Sequence, residues 1–145
     1  MIVIDTTILS FAVGTDHPFR DPTRRLVSAI AARRVEATTT PEVIQEFAHV
    51  RARRRDRADA VAVAQRYAEL LAPLLIIDAG HLERGLRLFE EHPELGAFDA
   101  VLAAATIAHE ADALVSADAD FEGIADLRHI APGTQAFEDL LTGSA

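Results

Sequence analysis

The sequence predicts an α/β fold with a central, mainly parallel sheet flanked by helices. Three features of the chain point to it. Short apolar runs recur and several end on aspartate, segments of helical period lie between them, and cap or proline residues mark where those segments begin. The chain has 145 residues, half of them hydrophobic, which supplies one core without calling for a second. Residues 1–145 are therefore read as a single domain.

Residues 1–4 are a largely β-branched run that stops at Asp5, as a buried strand does. Asp21-Pro22 pairs an N-cap residue with proline at the first helical position, and Leu26, Val27 and Ile30 continue one face to about residue 34. Residues 35–38 form a second short strand. Thr40-Pro41 repeats the cap-plus-proline signal and opens a helix with Val43, Phe47 and Val50 on one face. Another helical pattern covers residues 56–71 and stops at Pro73. Residues 74–77 read as an apolar strand ending at Asp78, and a helix carrying Leu82, Leu86 and Phe89 follows as far as Pro93. After Gly96 comes a helix over residues 98–109, which Phe98, Val101 and Leu102 turn inward, with Asp99 in its first turn. Residues 113–115 are a strand leading to Asp118 and Asp120, residues 128–130 are a last strand, and Thr134 caps a final helix with Phe137, Leu140 and Leu141. There is no internal repeat and no low-complexity tract.

Composition excludes some chemistries. Without cysteine there are no disulfides, thiolate metal sites or thiol nucleophiles, which fits a reducing cytosol. The first residues lack the basic start of a signal peptide, and no apolar run approaches the ~20 residues a membrane helix needs. A soluble cytoplasmic protein is expected. The net charge of −9 looks wrong for a nucleic-acid binder, but distribution matters more than the sum. Arg51, Arg53, Arg54, Arg55 and Arg57 crowd one stretch of a chain that contains no lysine. The planar guanidinium suits phosphate. The plainer alternative is a solvated helix end.

The acids are the most informative residues. In an open parallel sheet, ligands bind beyond the carboxyl ends of the strands. Right-handed crossovers place those ends on one side, so Asp5, Asp118 and Asp120 should share an edge. Asp99 is held near the core by its helix, and Glu46 borders the face formed by Val43, Phe47 and Val50. Taken singly, each has a plain explanation: a strand-end aspartate, a helix N-terminal acid, a surface glutamate, a turn. Taken together, they would repel strongly in a partly dry cleft unless a divalent cation joined them. An all-oxygen set suits Mg²⁺ or Mn²⁺, ions that commonly act on phosphate. Glu46 and His49 are spaced as in carboxylate-bridged iron sites but lack the twin pair those sites need. His17, His81, His92, His109 and His129 show no ligand spacing.

The set Ile4-Asp5-Thr6-Thr7, Glu46, Phe98-Asp99-Ala100 and Ser116-Ala117-Asp118-Ala119-Asp120-Phe121 resembles the PIN-domain nucleases. Within that group, length and arrangement are most similar to the VapC toxins of bacterial toxin–antitoxin pairs. The resemblance runs over residues 1–132. It implies a PIN-like three-layer fold and Mg²⁺- or Mn²⁺-dependent cleavage of RNA, with tRNA or rRNA as the expected substrate. Asp5, Glu46, Asp99 and Asp118 fall on the family's acidic quartet, and Asp120 on its frequent fifth acid. Thr6 and Thr7 match the small polar residues after the first aspartate. Thr7 stands where Ser or Asn is commoner and Ser116 where Thr is commoner; both keep a hydroxyl. The resemblance further implies a homodimer and a VapB-type antitoxin partner, with the helices holding Phe47 and Tyr67 as a candidate groove. Arg51, Arg53, Arg54, Arg55 and Arg57 become candidates for guiding the RNA backbone. Two other functions are weighed against this one. One is a metal-dependent phosphohydrolase acting on a small molecule. A strand-end Asp also serves phosphatases that form an aspartyl phosphate, but those usually place a second acid two residues after the first, where Thr7 stands here. A catalytically silent PIN-like binding module would be expected to lose an acid or two, and this chain keeps the full set.

Overall fold

Isoleucine and valine favour extended backbone, and Ile2–Ile4 form strand β1, buried on both faces. The computed structural model describes residues 1–143. Strands β2 (Ala37–Thr38), β3 (Ala113–Val115) and β4 (His129–Ile130) complete a four-stranded sheet in the order β2-β1-β3-β4. Every pairing is parallel: Ile2 faces Ala37 and Ala113, and Leu114 faces His129. Burial of both faces explains why β1 and β3 read as unbroken apolar runs rather than alternating ones.

Among the described residues seven helices flank the sheet: α1 (Thr6–Ala12), α2 (Arg20–Ala31), α3 (Pro41–Arg54), α4 (Arg57–Leu70), α5 (Ala79–Glu91), α6 (Ala97–Ala108) and α7 (Gln135–Thr142). Helices α1 and α2, α3 and α4, and α5 and α6 pack as pairs. Thr40, Asp56 and Thr134 cap α3, α4 and α7 by accepting the backbone N–H three residues on, as the cap signals predicted for Thr40 and Thr134. Edge-to-face packing of Phe47 on Tyr67, with centroids 5.1 Å apart, joins α3 to α4. The Tyr67 hydroxyl donates to the Leu9 carbonyl at 3.1 Å, which ties that pair to α1. Phe47 and Tyr67 are buried core, so neither side chain is offered to a partner.

Topology fixes where a ligand belongs. From β1 the chain passes through α1 and α2 to β2 at one edge, whereas from β3 it passes to β4 at the other. Adjacent strands whose connections leave in opposite directions open a crevice beyond their carboxyl ends. That switch point lies between Ile4 and Val115, so the residues following both strands converge there.

Three local expectations are corrected, and one helix is unanticipated. Helix α1 follows Asp5 directly, where the sequence raises no expectation of an element. Helix α2 begins at Arg20, with Phe19 at its cap, so Asp21 lies inside the first turn rather than capping it. Residues 74–77 form no strand. The Leu75 N–H donates to the Thr39 carbonyl at 2.9 Å, but β2 is only two residues long and Thr40 already caps α3, so no ladder can continue. Finally, Phe98 points outward with 80 % exposure; Ala100, Leu102 and Ala103 seat α6 instead.

Candidate carboxylate site

Asp5 sits at the switch point with two duties. It caps α1, accepting from the Thr7 N–H at 3.2 Å, and it is buried to 3 % exposure. Hydroxyls from both adjoining strand ends also meet it: Thr7 Oγ1 donates at 2.6 Å and Ser116 Oγ at 2.7 Å. All three bonds fall on Oδ2, and Oδ1 receives none of them. Three donors on one oxygen fix the orientation of the carboxylate. The same hydroxyls organise the β3 end, because Thr7 Oγ1 accepts from the Ala117 N–H at 2.9 Å and Ser116 Oγ from the Asp118 N–H at 3.0 Å.

Asp118 caps a single 3-10 turn (Ala119–Phe121), accepting the Asp120 N–H on Oδ1 at 3.0 Å. Buried Phe121 anchors that turn in the core, so the loop presents its acids from a fixed base. Glu46, on α3, takes a 2.6 Å hydrogen bond on Oε2 from Thr6 Oγ1. Asp99, in the first turn of α6, lies against Gly96, where a Cβ would stand 2.9 Å from its Oδ2. Burial pushes the Asp99 carboxyl up to about 7, and the charges of Asp5, Glu46, Asp118 and Asp120 push the same way.

A cavity of about 460 Å³ has Asp5, Glu46, Asp99 and Asp118 in its wall, together with Thr6 and Thr7. The structure thus gathers four of the five sequence-predicted acids around one space. Asp120 is outside that wall, but its charge reaches Asp99. Among the described residues no three acids or imidazoles close into a ready-made ion cage. Five acids, no thiol, and an Asp99 carboxyl raised by burial and then by its acidic neighbours fit a divalent cation bound through oxygen.

The arginines divide. Arg51 gives Nε and Nη2 to Asp59 at 2.5 and 3.1 Å, and Nη1 to the Val13 carbonyl at 3.3 Å, which pins α3 to α4 and to the end of α1. Arg53, Arg54, Arg55 and Arg57 are exposed. Of these, Arg54 lines the carboxylate cavity. Sequence reasoning misses three participants: Phe11, His17 and Gly96. Phe11 and His17 line the same cavity, and Phe11 lies on α1, for which no expectation was raised. The available signal is Asp5 as an N-cap ahead of Ile8, Leu9 and Ala12.

Known proteins resemble the chain both in sequence and in fold. The family model for the PIN domain matches residues 2–127. The chain is 50 % identical over 145 residues to Ribonuclease VapC7 of Mycobacterium tuberculosis, covering 97 % of this chain and 98 % of that protein. It is 32 % identical over 101 residues to Ribonuclease VapC23 of the same species, covering 68 % of this chain and 78 % of the relative. In fold it is similar to a chain of the crystal structure of VapBC2 from Rickettsia felis bound to a DNA fragment from its promoter. The TM-score is 0.71 at 19 % identity, over 91 % of this chain and 99 % of that one.

Proposed function

Given that the chain belongs to the PIN-domain family, in its VapC branch, we propose that it is an endoribonuclease dependent on Mg²⁺ or Mn²⁺ and the toxin of a VapBC-type pair. The single observation carrying the chemistry is the cavity that Asp5, Glu46, Asp99 and Asp118 share. A divalent ion bound there would supply a more acidic water and offset charge on the phosphate oxygens.

The residues divide the work. Asp5, through its unengaged Oδ1, and Asp99 would hold a divalent ion, with Asp118 and Asp120 contributing further carboxylates beside them. Thr7 and Ser116 keep Asp5 aimed. Glu46, steadied by Thr6, orients the attacking water for in-line approach to phosphorus. The new P–O bond forms as the bond to the 3′ oxygen breaks, leaving a 3′ hydroxyl and a 5′ phosphate. Exposed Arg53, Arg54, Arg55 and Arg57 guide the RNA backbone, while Arg51 is already committed to Asp59.

A VapB-type antitoxin is the partner this family membership supports, and a homodimer the expected assembly. Ile76, Leu82, Leu86, Phe89 and Phe98 are exposed and provide apolar surface for such contacts. Among the described residues no helix is long and apolar enough to cross a membrane; a cytoplasmic location is the one that action on tRNA or rRNA implies. Residues 1–145 act as one domain.

The deciding experiment is cleavage of RNA by wild type and by Asp5→Asn, with Mg²⁺, Mn²⁺ or EDTA. Asparagine caps a helix about as well as aspartate, so the variant keeps α1 and loses the charge. Cleavage that needs metal and disappears in the variant supports the function. Equal, metal-independent behaviour of both proteins rejects it.

A further inference from the structure

Beside the acids lies a group of rings that the proposed hydrolysis does not use. The imidazole of His17 stacks on the ring of Phe11, with centroids 4.4 Å apart and planes 24° apart. Phe19 meets both rings at an angle, 5.6 Å from Phe11 and 5.3 Å from His17. The Phe19 N–H donates to His17 Nδ1 at 3.1 Å, which fixes the imidazole and leaves Nε2 as its protonated nitrogen. His17 is nevertheless exposed. A solvent-facing ring held by one backbone hydrogen bond and two aromatic neighbours is a platform more than a core element.

Its position matters more than its presence. Phe11 and His17 line the cavity that holds Asp5, Asp99 and Asp118, and Arg54 lines it too. A second cavity of about 490 Å³ shares Ser10, Val50 and Arg54 with the first and adds Arg55. Acids, a stacking surface and the guanidinium groups of Arg54 and Arg55 therefore border two adjoining cavities. Unpaired bases stack on His and Phe rings, and the strand beside them is followed by positive charge.

We propose that Phe11 and His17 form a nucleobase subsite beside the scissile phosphate, and that Arg54 takes the phosphate adjoining the stacked base. The subsite rests on the nuclease function above and assigns the place where an unpaired base beside the cut would lie. A paired base has both faces covered by its neighbours and cannot lie on the His17 ring. Because every base has a π-face, the subsite favours an unpaired nucleotide without naming which one.

The test compares two fluorescent strands in Ca²⁺: an octamer of adenylate, and a ribose-phosphate strand of the same length without bases. The wild type should bind the adenylate strand more tightly. His17→Ala should lose roughly 5- to 100-fold in affinity for it and change little toward the abasic strand. His17→Phe should restore most of the preference, because a stacking face is again present. Arg54→Ala should weaken both strands alike. A wild type that binds the two strands equally or binds neither, or a preference that survives His17→Ala, overturns the subsite. The metal-dependent cleavage test with Asp5→Asn is read separately, so failure here is distinguishable from failure of the nuclease function. A merely structural role for the rings would alter stability and not the difference between the strands.

Discussion

Thr6 Oγ1 lies 2.6 Å from Glu46 Oε2, so the first turn of α1 clasps a carboxylate that α3 delivers from forty residues away. Thr6 is buried and Glu46 is exposed. The hydroxyl thus acts as a fixed post for an otherwise mobile side chain. Thr6→Val keeps the shape and removes the donor. RNA cleavage should fall about tenfold, the scale of a lost hydrogen bond to a charged group. Thr6→Ser should recover most of the rate, and melting temperature should follow neither change closely.

The raised Asp99 carboxyl links stability to pH. Its pKa is about 7 in the fold against 3.8 for the free group, so the folded protein holds this proton more tightly than the unfolded chain. The stabilising contribution is complete below pH 3.8, falls as pH rises, and is gone above about 7. In metal-free buffer at pH 8, Asp99→Asn should therefore melt higher than wild type, by roughly 3–6 °C. The gain should shrink at pH 5 and vanish when Mg²⁺ is added to wild type. Affinity for the ion should rise between pH 6 and pH 8, because binding displaces the Asp99 proton. Calorimetry in buffers of different ionisation heat reads that proton directly.

Two glycines should respond in opposite ways to the same methyl group. At Gly85 on α5 a Cβ would stand 2.7 Å from the Val101 Cα and 3.0 Å from its nitrogen, which is backbone and cannot step aside. Gly85→Ala should destabilise the fold by about 1–3 kcal/mol, although alanine is the better helix former. At Gly96 the obstacle is Asp99 Oδ2, the end of a movable side chain. Gly96→Ala should leave the melting temperature nearly unchanged while lowering cleavage, since relief comes by displacing that carboxylate. Melting curves and cleavage rates on the two variants separate the cases.

Arginine substitutions should sort by what the side chain touches. Arg51→Ala removes a partner from Asp59, whose carboxyl the guanidinium holds below its usual range, and should lower thermal stability. Arg54→Ala should leave stability alone. It should reduce the dependence of log affinity for single-stranded RNA on log salt by about 0.7 for one lost phosphate contact. An unchanged slope would make Arg54 ordinary solvated surface.

Much of the carboxylate site is legible in the amino-acid sequence, for a physical reason. A buried parallel strand shows as an unbroken apolar run, and the first polar residue after it marks the sheet edge where ligands gather. Asp5 and Asp118 stand out in that way. Features that depend on a distant partner stay hidden. Residues 74–77 look like a strand, but a ladder needs a neighbour, and β2 has too few residues to serve. Arg51 resembles its neighbours in the sequence until Asp59 folds onto it. Phe98 is apolar and so is expected inside, whereas the small residues of α6 do the packing. Helix α1 escapes notice when Asp5 is taken for its charge and not also as a cap.

The pairing of β1 with β3 also sets a schedule. Val3 must find Leu114, more than a hundred residues later in synthesis, before Asp5 can meet Ser116 and Asp118. A nascent chain emerging from the ribosome carries Asp5 early, and Glu46 and Asp99 well before Ser116. Strand β1 has no partner for its inner edge until β3 has cleared the exit tunnel. Contacts of this sequence separation form late, after the loop-closure cost has been met. The carboxylates repel one another only once they converge, so no unfinished chain bears that strain or offers a working cavity. On the proposed function, the cavity that would carry hydrolysis is thus completed only late in translation, when β3 pairs with β1.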